Sequence, residues 1–178
     1  MKIVNGDLLT SGCDLIVHQL NCLTVRSLGL SKAISIKYPY ADVYSKRIPI
    51  GNKNLCKLES RGNPGNIEIC RSEGLLGPII VGIYGQFSPS VPGKYYTNLG
   101  DDTYTLREKW FIEGLDKLFK FIIDNNNYIN NKKIQKVGFP YKIGCGLAGG
   151  SWNNYKKFIQ SFSEKLDQHG VETFIYNF

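Results

Sequence analysis

A glycine-rich run near the end of the chain is the segment best suited to bind a ligand. Residues 144–150 read Gly-Cys-Gly-Leu-Ala-Gly-Gly. Glycine has no Cβ, so a ligand can closely approach its backbone N–H groups. Ser151 follows as a predicted helix N-cap, and a helix start adds unpaired N–H donors and the positive end of the helix dipole. A strand, a glycine loop and a helix start in this order favour phosphate binding.

Two other interpretations of this run compete with phosphate binding. The residues from Gly144 to Gly149 match the dinucleotide pattern G-x-G-x-x-G. That pattern normally opens a nucleotide-binding domain, but only one helix and one strand are predicted between it and Phe178, which leaves no room for such a domain. The run could instead be a plain connecting turn. A plain turn accounts for one or two glycines but leaves the four of this run unexplained.

A second candidate group is His18, which stands near the end of a predicted buried strand, with Asn21 close behind it. An imidazole titrates near neutral pH and suits proton transfer. A lone histidine is also commonly a structural residue, and an asparagine at a strand end commonly caps the following turn. The other histidine, His169, precedes Gly170 near a predicted helix end and is interpreted as a surface residue.

The elements that must position these groups alternate along the chain. Strands are predicted at residues 2–4, 14–19, 67–70, 79–84, 134–138 and 172–176, and helices at residues 28–37, 105–122 and 152–166. A further helical turn is expected at residues 41–46 and a short strand at 55–58. Continuous apolar strands indicate a sheet covered on both faces, so the predicted class is α/β with a mixed sheet between helices. Residues 1–178 are expected to form one domain.

Polar residues follow the predicted strands at three places. They are residues 18–21, Gly85 with Gln86, and the loop 144–150. Ligands of open α/β sheets bind beyond the carboxyl ends of the strands. Chain order therefore predicts that these three clusters meet in one crevice.

Composition narrows the possible partners. The chain has 22 Lys and Arg against 15 Asp and Glu, a net charge of +7, which favours an anionic partner. No apolar run could span a bilayer, and no Cys/His cluster has zinc spacing, so neither membrane, metal nor cofactor is predicted. Five cysteines without paired spacing, after an N-terminus unlike a signal peptide, indicate reduced thiols and a cytoplasmic or nucleocytoplasmic location. Nucleic-acid binding would rest on charge alone and ranks lowest.

Four segments together resemble the macrodomain family. They are residues 5–9 (Asn-Gly-Asp-Leu-Leu), residues 15–22 (Leu-Ile-Val-His-Gln-Leu-Asn-Cys), Gly29 with its helix up to Tyr38-Pro39, and residues 143–152. The last segment is similar to a divergent branch found in phages, viruses and eukaryotes, which contains ADP-ribose 1″-phosphate phosphatases and terminal ADP-ribose glycohydrolases. The resemblance implies a three-layer α/β/α fold with a pocket for ADP-ribose.

The resemblance also implies roles for individual residues. Asp7 would accept a hydrogen bond from the adenine amine beside the Leu8 backbone, Asn21 would bind the distal ribose, and residues 143–148 would surround the diphosphate. Residues 28–30 would border the diphosphate and distal ribose, and the last strand would lie near adenine. The implied binding residues are Asp7, Leu8, Asn21, Leu28, Gly29, Leu30, Gly85, Gln86, Pro140, Ile143, Gly144, Cys145, Gly146, Leu147, Ala148, Tyr176 and Phe178.

The implied activity is hydrolysis of ADP-ribose 1″-phosphate to ADP-ribose and phosphate. His18 would be its proton-transfer group or nucleophile, because yeast-type phosphatases of this branch use the histidine of a His-x-x-Asn-Cys element. The alternatives are a non-catalytic reader of ADP-ribose, free or on a protein, and a hydrolase that removes ADP-ribose from protein or nucleic acid. Relatives with that hydrolase activity carry Asp where this chain has Ala148, and Lys near Gly85 or Gln86. Their Lys/Asp chemistry is therefore not expected here.

Overall fold

The computed structural model describes residues 1–129 and 131–178, apart from the side chain of Leu75. The strands in this part of the chain are β1 (Lys2–Asn5), β2 (Leu15–Asn21), β3 (Ile67–Cys70), β4 (Ile79–Gln86), β5 (Tyr128–Ile129), β6 (Lys132–Lys133), β7 (Lys136–Pro140) and β8 (Glu172–Asn177). The α-helices are α1 (Gly29–Lys37), α2 (Tyr104–Asp124) and α3 (Trp152–Asp167). Single 3-10 turns lie at Leu8–Thr10, Pro39–Ala41, Tyr44–Lys46, Leu58–Ser60 and Glu73–Leu75.

Six strands form one mixed sheet in the order β1-β8-β7-β2-β4-β3. Every neighbouring pair is parallel except β3 with β4, so β3 is an antiparallel edge strand. The carboxyl ends of the five parallel strands therefore open at one edge of the sheet, which is where ligands of such sheets bind. A register shift between Gln19 and Asn21 bends the end of β2 at this edge.

Two hydrophobic cores cover the two faces of the sheet. On one face, Leu15 and Val17 of β2 pack with the apolar sides of α2 and α3. On the other face, Ile16 packs with Ile34 of α1 and with the segment 41–55. Because successive residues of a strand point to opposite faces, β2 is buried on both sides. The predicted three-layer α/β/α arrangement is confirmed, and α1 lies on the face toward which even-numbered residues such as His18 point.

Element boundaries differ from the sequence expectation in several places. Helix α2 begins after Thr103, whose hydroxyl accepts from the Leu106 amide at 3.1 Å, one residue before the predicted start at residue 105. Ser151 is the N-cap of α3 as predicted, but its side chain makes no capping hydrogen bond. The expected strand at 55–58 is a single bridge between Cys56 and Pro49, and the helical turn at 41–46 is split over two 3-10 turns. The two-residue strands β5 and β6 are too short to give a periodic signal.

The described residues include five free cysteines and no group of three or more His, Cys, Asp or Glu side chains that could hold a metal ion. No helix within the same residues is both long and apolar enough to cross a membrane.

Candidate functional site

A cleft of about 320 Å³ opens at the carboxyl ends of β2, β4 and β7. These strand ends supply its floor, the start of α1 forms one side, and the glycine loop after β7 forms the other. The described residues that line it are His18, Gln19, Asn21, Thr24, Leu28, Gly29, Leu30, Ser31, Tyr44, Asn54, Gln86, Pro89, Ser90, Pro140, Tyr141, Lys142, Ile143, Gly144, Gly146, Leu147 and Ala148. The three polar clusters expected to share one crevice each contribute residues to this cleft.

Most residues singled out from the sequence line the cleft. They are His18, Asn21, Leu28, Gly29, Leu30, Gln86, Pro140, Ile143, Gly144, Gly146, Leu147 and Ala148. Others lie outside the lining, namely Asp7, Leu8, Gly85, Cys145, Tyr176 and Phe178. Asp7 and Tyr176 lie at the ends of the paired strands β1 and β8, which places them at the same edge of the sheet as the cleft. Phe178 is fully exposed.

Gly85 and Cys145 are outside the lining for local reasons. A Cβ on Gly85 would lie 2.6 Å from Oε1 of Gln19, so the Gln19 side chain covers this glycine. The thiol of Cys145 donates to the carbonyl of Ile143 at 3.2 Å. The side chain of Cys145 is therefore turned back onto its own loop.

The glycine loop after β7 presents a group of unpaired backbone donors. Lys142, Gly144 and Gly149 adopt positive φ, and such left-handed residues turn successive N–H groups toward one side. The amides that bond inside the loop are those of Ile143, Cys145, Gly149 and Gly150. The other loop amides have no acceptor among the described residues; they are those of Lys142 and Ser151, and those of Gly144, Gly146, Leu147 and Ala148. These last four residues all line the cleft, so the loop can bind an anion without breaking its own hydrogen bonds.

Gly144 and Gly146 are glycines for different reasons. A Cβ on Gly144, where φ is +72°, would lie 2.6 Å from the Tyr155 ring and 2.8 Å from Oε1 of Gln19. The fold therefore excludes a side chain at this position. A Cβ on Gly146 would have no heavy atom within 4 Å, and the backbone there lies outside the left-handed region. A side chain at Gly146 would therefore extend into open space at the lining of the cleft and leave the protein packing undisturbed.

The start of α1 supplies a second group of donors. Its N-cap residue, Leu28, makes no capping hydrogen bond, so the amides of the first turn remain unpaired. Gly29, Leu30 and Ser31 of this turn line the cleft. The positive end of the helix dipole therefore adds to the attraction for an anion.

His18 lies behind this helix start and is only 3% exposed. Its Nδ1 is 3.1 Å from Oγ of Ser31, which is a hydrogen-bonding distance. Its Nε2 lies 3.4 Å from the point that a Cβ on Gly82 would occupy, so the ring stands between α1 and β4. Burial lowers the pKa of His18 to about 4, and the imidazole is therefore neutral near pH 7.

The side chain of Asn21 holds the turn that follows β2. Its Oδ1 accepts from the amides of Leu23 and Thr24 at 3.0 and 2.9 Å, and its Nδ2 donates to Oγ1 of Thr24 at 2.9 Å. The Asn21 amide donates to the hydroxyl of Tyr44 at 3.0 Å. Asn21 thus lies in the cleft, but the polar atoms expected to bind ribose hydroxyls are already engaged by the turn.

The side chain of Arg47 forms hydrogen bonds to the backbone of the same turn. Its guanidinium is buried and donates to the carbonyls of Thr24 and Asn21 at 2.6 and 2.7 Å. It lies 4.6 Å from the centre of the Tyr44 ring, within the range of a cation–π contact. Arg47 forms no ion pair with any described residue, so it places an uncompensated positive charge behind this end of the cleft.

Arg107 of α2 ties two cleft loops together. Its guanidinium pairs with Asp102 at 2.6 Å and donates to the carbonyls of Ser90 and Ala148 at 2.7 and 3.2 Å. Burial by itself raises the pKa of Asp102, but hydrogen bonds from Arg107 and Ser88 outweigh it and leave that pKa below its usual value. The ionised pair therefore joins the loop after β4 to the glycine loop.

Amide side chains cross the floor of the cleft. Nε2 of Gln19 donates to Oε1 of Gln86 at 2.8 Å, and Nε2 of Gln86 donates to the carbonyl of Ser88 at 3.0 Å. Of the described residues that line the cleft, Lys142 alone carries a formal charge. The cleft thus offers donors and positive charge, and the described residues of its lining include no carboxylate.

Several lining residues were not among the predicted ones. They are Gln19, Thr24, Ser31, Tyr44, Asn54, Pro89, Ser90, Tyr141 and Lys142. The sequence could have indicated Ser31, because this residue lies in the first turn of a predicted helix and the start of that helix was expected at the site. Tyr44 and Asn54 had none, since tertiary packing brings them from an irregular segment.

The sequence matches no protein-family model and no curated protein. The structure is similar to the macrodomain of Mycobacterium tuberculosis DarG, with a TM-score of 0.70 and 22% identity over 98% of this chain and 95% of that one. The macrodomain of Thermus aquaticus DarG gives a TM-score of 0.65 and 18% identity over 99% and 97%. A Trypanosoma brucei macrodomain in complex with ADP-ribose gives a TM-score of 0.59 and 13% identity over 98% of this chain and 62% of that one. From its sheet order, its layers and these similarities, the protein has the macrodomain fold.

Proposed function

We propose that the cleft binds ADP-ribose or a derivative of it, free or attached to a protein. The observation that carries this proposal is the set of unpaired amides at Gly144, Gly146, Leu147 and Ala148, which suits a diphosphate. The described lining residues include no carboxylate that would repel such an anion. A T. brucei macrodomain of the same fold has been solved in complex with ADP-ribose, which supports the choice of ligand.

In this proposal the ligand extends along the sheet edge. The diphosphate lies between the glycine loop and the start of α1, where both groups of donors meet it. The adenine lies toward Asp7, Leu8 and Tyr176, and the distal ribose lies toward His18. Asn21 acts on the ribose by holding the turn of residues 21–24, because its own polar atoms are engaged.

The activity that this arrangement favours is hydrolysis of ADP-ribose 1″-phosphate to ADP-ribose and phosphate. The hydrogen-bonded pair of His18 and Ser31 borders the end of the cleft where a 1″-phosphate would lie. A hydrolase with a Lys/Asp pair is disfavoured, because the expected Asp position is Ala148 and the expected Lys position, near Gly85 or Gln86, has no lysine. A reader without turnover is the second candidate, since binding requires only the donors described above.

Isothermal titration calorimetry with ADP-ribose, AMP and ribose 5-phosphate tests the binding proposal. We expect ADP-ribose to bind at least about tenfold more tightly than either fragment, because only ADP-ribose carries the diphosphate that bridges both groups of donors. An absence of binding heat with ADP-ribose would refute the proposal. A measurement of phosphate release from ADP-ribose 1″-phosphate then distinguishes the two candidate functions. A phosphatase would release phosphate from this compound, whereas a reader would bind the compound without hydrolysing it.

A further inference from the structure

The positions of His18 and Ser31 determine which of them a ligand meets first. The imidazole is 3% exposed, with Nδ1 directed at Ser31 and Nε2 beside Gly82. Ser31 as a residue is only half-buried, and it lines the cleft on the first turn of α1, beside the unpaired amides. An incoming phosphate therefore reaches Oγ of Ser31, while His18 stands behind it.

We infer that Ser31 is the nucleophile of this site and that His18 acts through it as the base. The inference rests on the phosphatase activity proposed above. A nucleophilic serine requires a base within hydrogen-bonding reach, and Nδ1 of His18 is 3.1 Å from its Oγ. It also requires donors for the oxygens of the phosphoryl group, which the amides of the first turn of α1 can supply.

Tyr44 and Arg47 complete the surroundings of this pair. The Asn21 amide donates to the Tyr44 hydroxyl at 3.0 Å, which holds the tyrosine in the lining of the cleft. Arg47, stacked on the Tyr44 ring, adds positive charge behind this end of the cleft.

The neutral state of His18 suits the role of a base. Burial disfavours the protonated form of the ring. In the tautomer that carries its proton on Nε2, Nδ1 can accept the proton of Ser31. A phosphate dianion bound next to the ring opposes the effect of burial and favours the imidazolium. Substrate binding therefore raises the basicity of His18 at the moment when the base is needed.

The reaction has two steps. In the first, Oγ of Ser31 forms a bond to phosphorus while the bond from phosphorus to the oxygen on C1″ breaks, and the Ser31 proton moves to Nδ1 of His18. The departing oxygen takes this proton from His18, directly or through a water molecule, and leaves as ADP-ribose, which returns His18 to its neutral form. In the second, water attacks the phosphoserine, releases inorganic phosphate and restores the serine hydroxyl, with His18 accepting and returning the proton.

The test compares Ser31→Ala and His18→Asn with a matched control in the same helix, Ser35→Ala. Ser35 lies one turn after Ser31, donates to the Lys32 carbonyl at 2.9 Å and is not part of the cleft lining. Three quantities are measured for each protein: ADP-ribose affinity by calorimetry, the rate of phosphate release from ADP-ribose 1″-phosphate, and phosphoserine on the Ser31 peptide after rapid acid quenching.

We expect Ser31→Ala and His18→Asn to lose phosphate release by at least about 100-fold. Both should bind ADP-ribose within about threefold of wild type, a difference of less than about 1 kcal/mol, and Ser35→Ala should match wild type throughout. Phosphoserine should form on Ser31 in wild type. Unchanged turnover in Ser31→Ala, or turnover by wild type without phosphoserine, would overturn the inference.

The remaining outcomes separate this inference from the proposed function. A wild-type protein that binds ADP-ribose but releases no phosphate overturns the role of Ser31 and leaves the binding proposal standing. A wild-type protein that does not bind ADP-ribose refutes the proposed function itself.

Discussion

Burial determines how His18 can act. The ring is enclosed between α1 and β4, and this environment penalises the charged form, which lowers its pKa from 6.5 to about 4. The histidine motif was visible in the sequence. Its burial was not, because the ring is covered through tertiary contacts with Ser31 of α1 and with Gly82 of another strand.

The lowered pKa of His18 makes stability depend on pH. Between pH 6.5 and 4 the unfolded chain binds this proton and the folded chain does not. The contribution of His18 is therefore complete above pH 6.5 and is lost as the pH falls toward 4, with a total of about 3 kcal/mol at about 1.4 kcal/mol for each unit of pKa. As the pH falls from 6.5 to 4, the free energy of unfolding of His18→Gln should therefore decrease less steeply than that of wild type.

Urea unfolding at a series of pH values measures this slope. His169→Gln is the matched control, since it removes the other histidine, which is exposed. We expect His169→Gln to follow the wild-type curve. A His18→Gln curve parallel to wild type would show that burial of this ring does not resist protonation.

Asp7 caps a turn and is also the proposed acceptor for the adenine amine. Its Oδ1 accepts from the Leu9 amide at 2.8 Å and caps the 3-10 turn Leu8–Thr10, while Oδ2 makes no hydrogen bond with another described residue. Asp7→Asn keeps the cap and replaces Oδ2 with a donor, which would face the adenine amine. We expect ADP-ribose to bind about tenfold or more weakly, because the amine loses its acceptor.

The hypoxanthine analogue of ADP-ribose provides the control for Asp7, because it lacks the amine. Calorimetry should show that wild type prefers ADP-ribose and that Asp7→Asn loses this preference. If the ratio of the affinities for ADP-ribose and for its hypoxanthine analogue is the same in wild type and in Asp7→Asn, Asp7 does not recognise adenine and only caps its turn.

At the level of elements, the cleft depends on how two loops are joined. Arg107 and Asp102 are both almost completely buried, and Arg107 reaches the carbonyls of Ser90 and Ala148 on either side. The helix that carries Arg107 was predicted from its apolar spacing. The contact of Arg107 with the glycine loop was not predicted, because this contact joins residues that are far apart in the chain.

Arg107→Met should destabilise the fold, because it leaves the carboxylate of Asp102 buried without its partner. Such a loss typically costs about 3–5 kcal/mol. The matched control is Lys109→Met in the same helix, where an exposed pair with Glu113 at 3.8 Å should contribute less than about 1 kcal/mol. Both values come from chemical denaturation, and equal effects of the two substitutions would contradict the account.

The strands and helices of the fold were accessible from the sequence because their apolar residues repeat with clear periods. Residues 79–84 gave an interior strand, and residues 152–166 gave a helix that covers the sheet. The irregular segment 38–56 offers no such period. Tyr44 and Asn54 reach the cleft from this segment through tertiary contacts, so local pattern could not place them there.

At the scale of the molecule, the two cores hold five parallel strands in register so that their carboxyl ends meet. This common edge gathers groups from four separate segments of the chain into one cleft. The chain has a net charge of +7, and the described lining of the cleft contains no carboxylate. Both properties favour an anionic ligand at the site where backbone donors remain unpaired.

The most direct test of this account is a calorimetric titration of ADP-ribose into wild type, Gly146→Ala and Gly146→Val. A Cβ at this position has no protein atom within 4 Å, so all three proteins should unfold at the same temperature. We predict that wild type binds ADP-ribose, that Gly146→Ala binds it more weakly, and that Gly146→Val shows no detectable binding because its side chain occupies the place of the diphosphate. Equal affinity in the three proteins would contradict the central claim that the glycine loop holds the ligand.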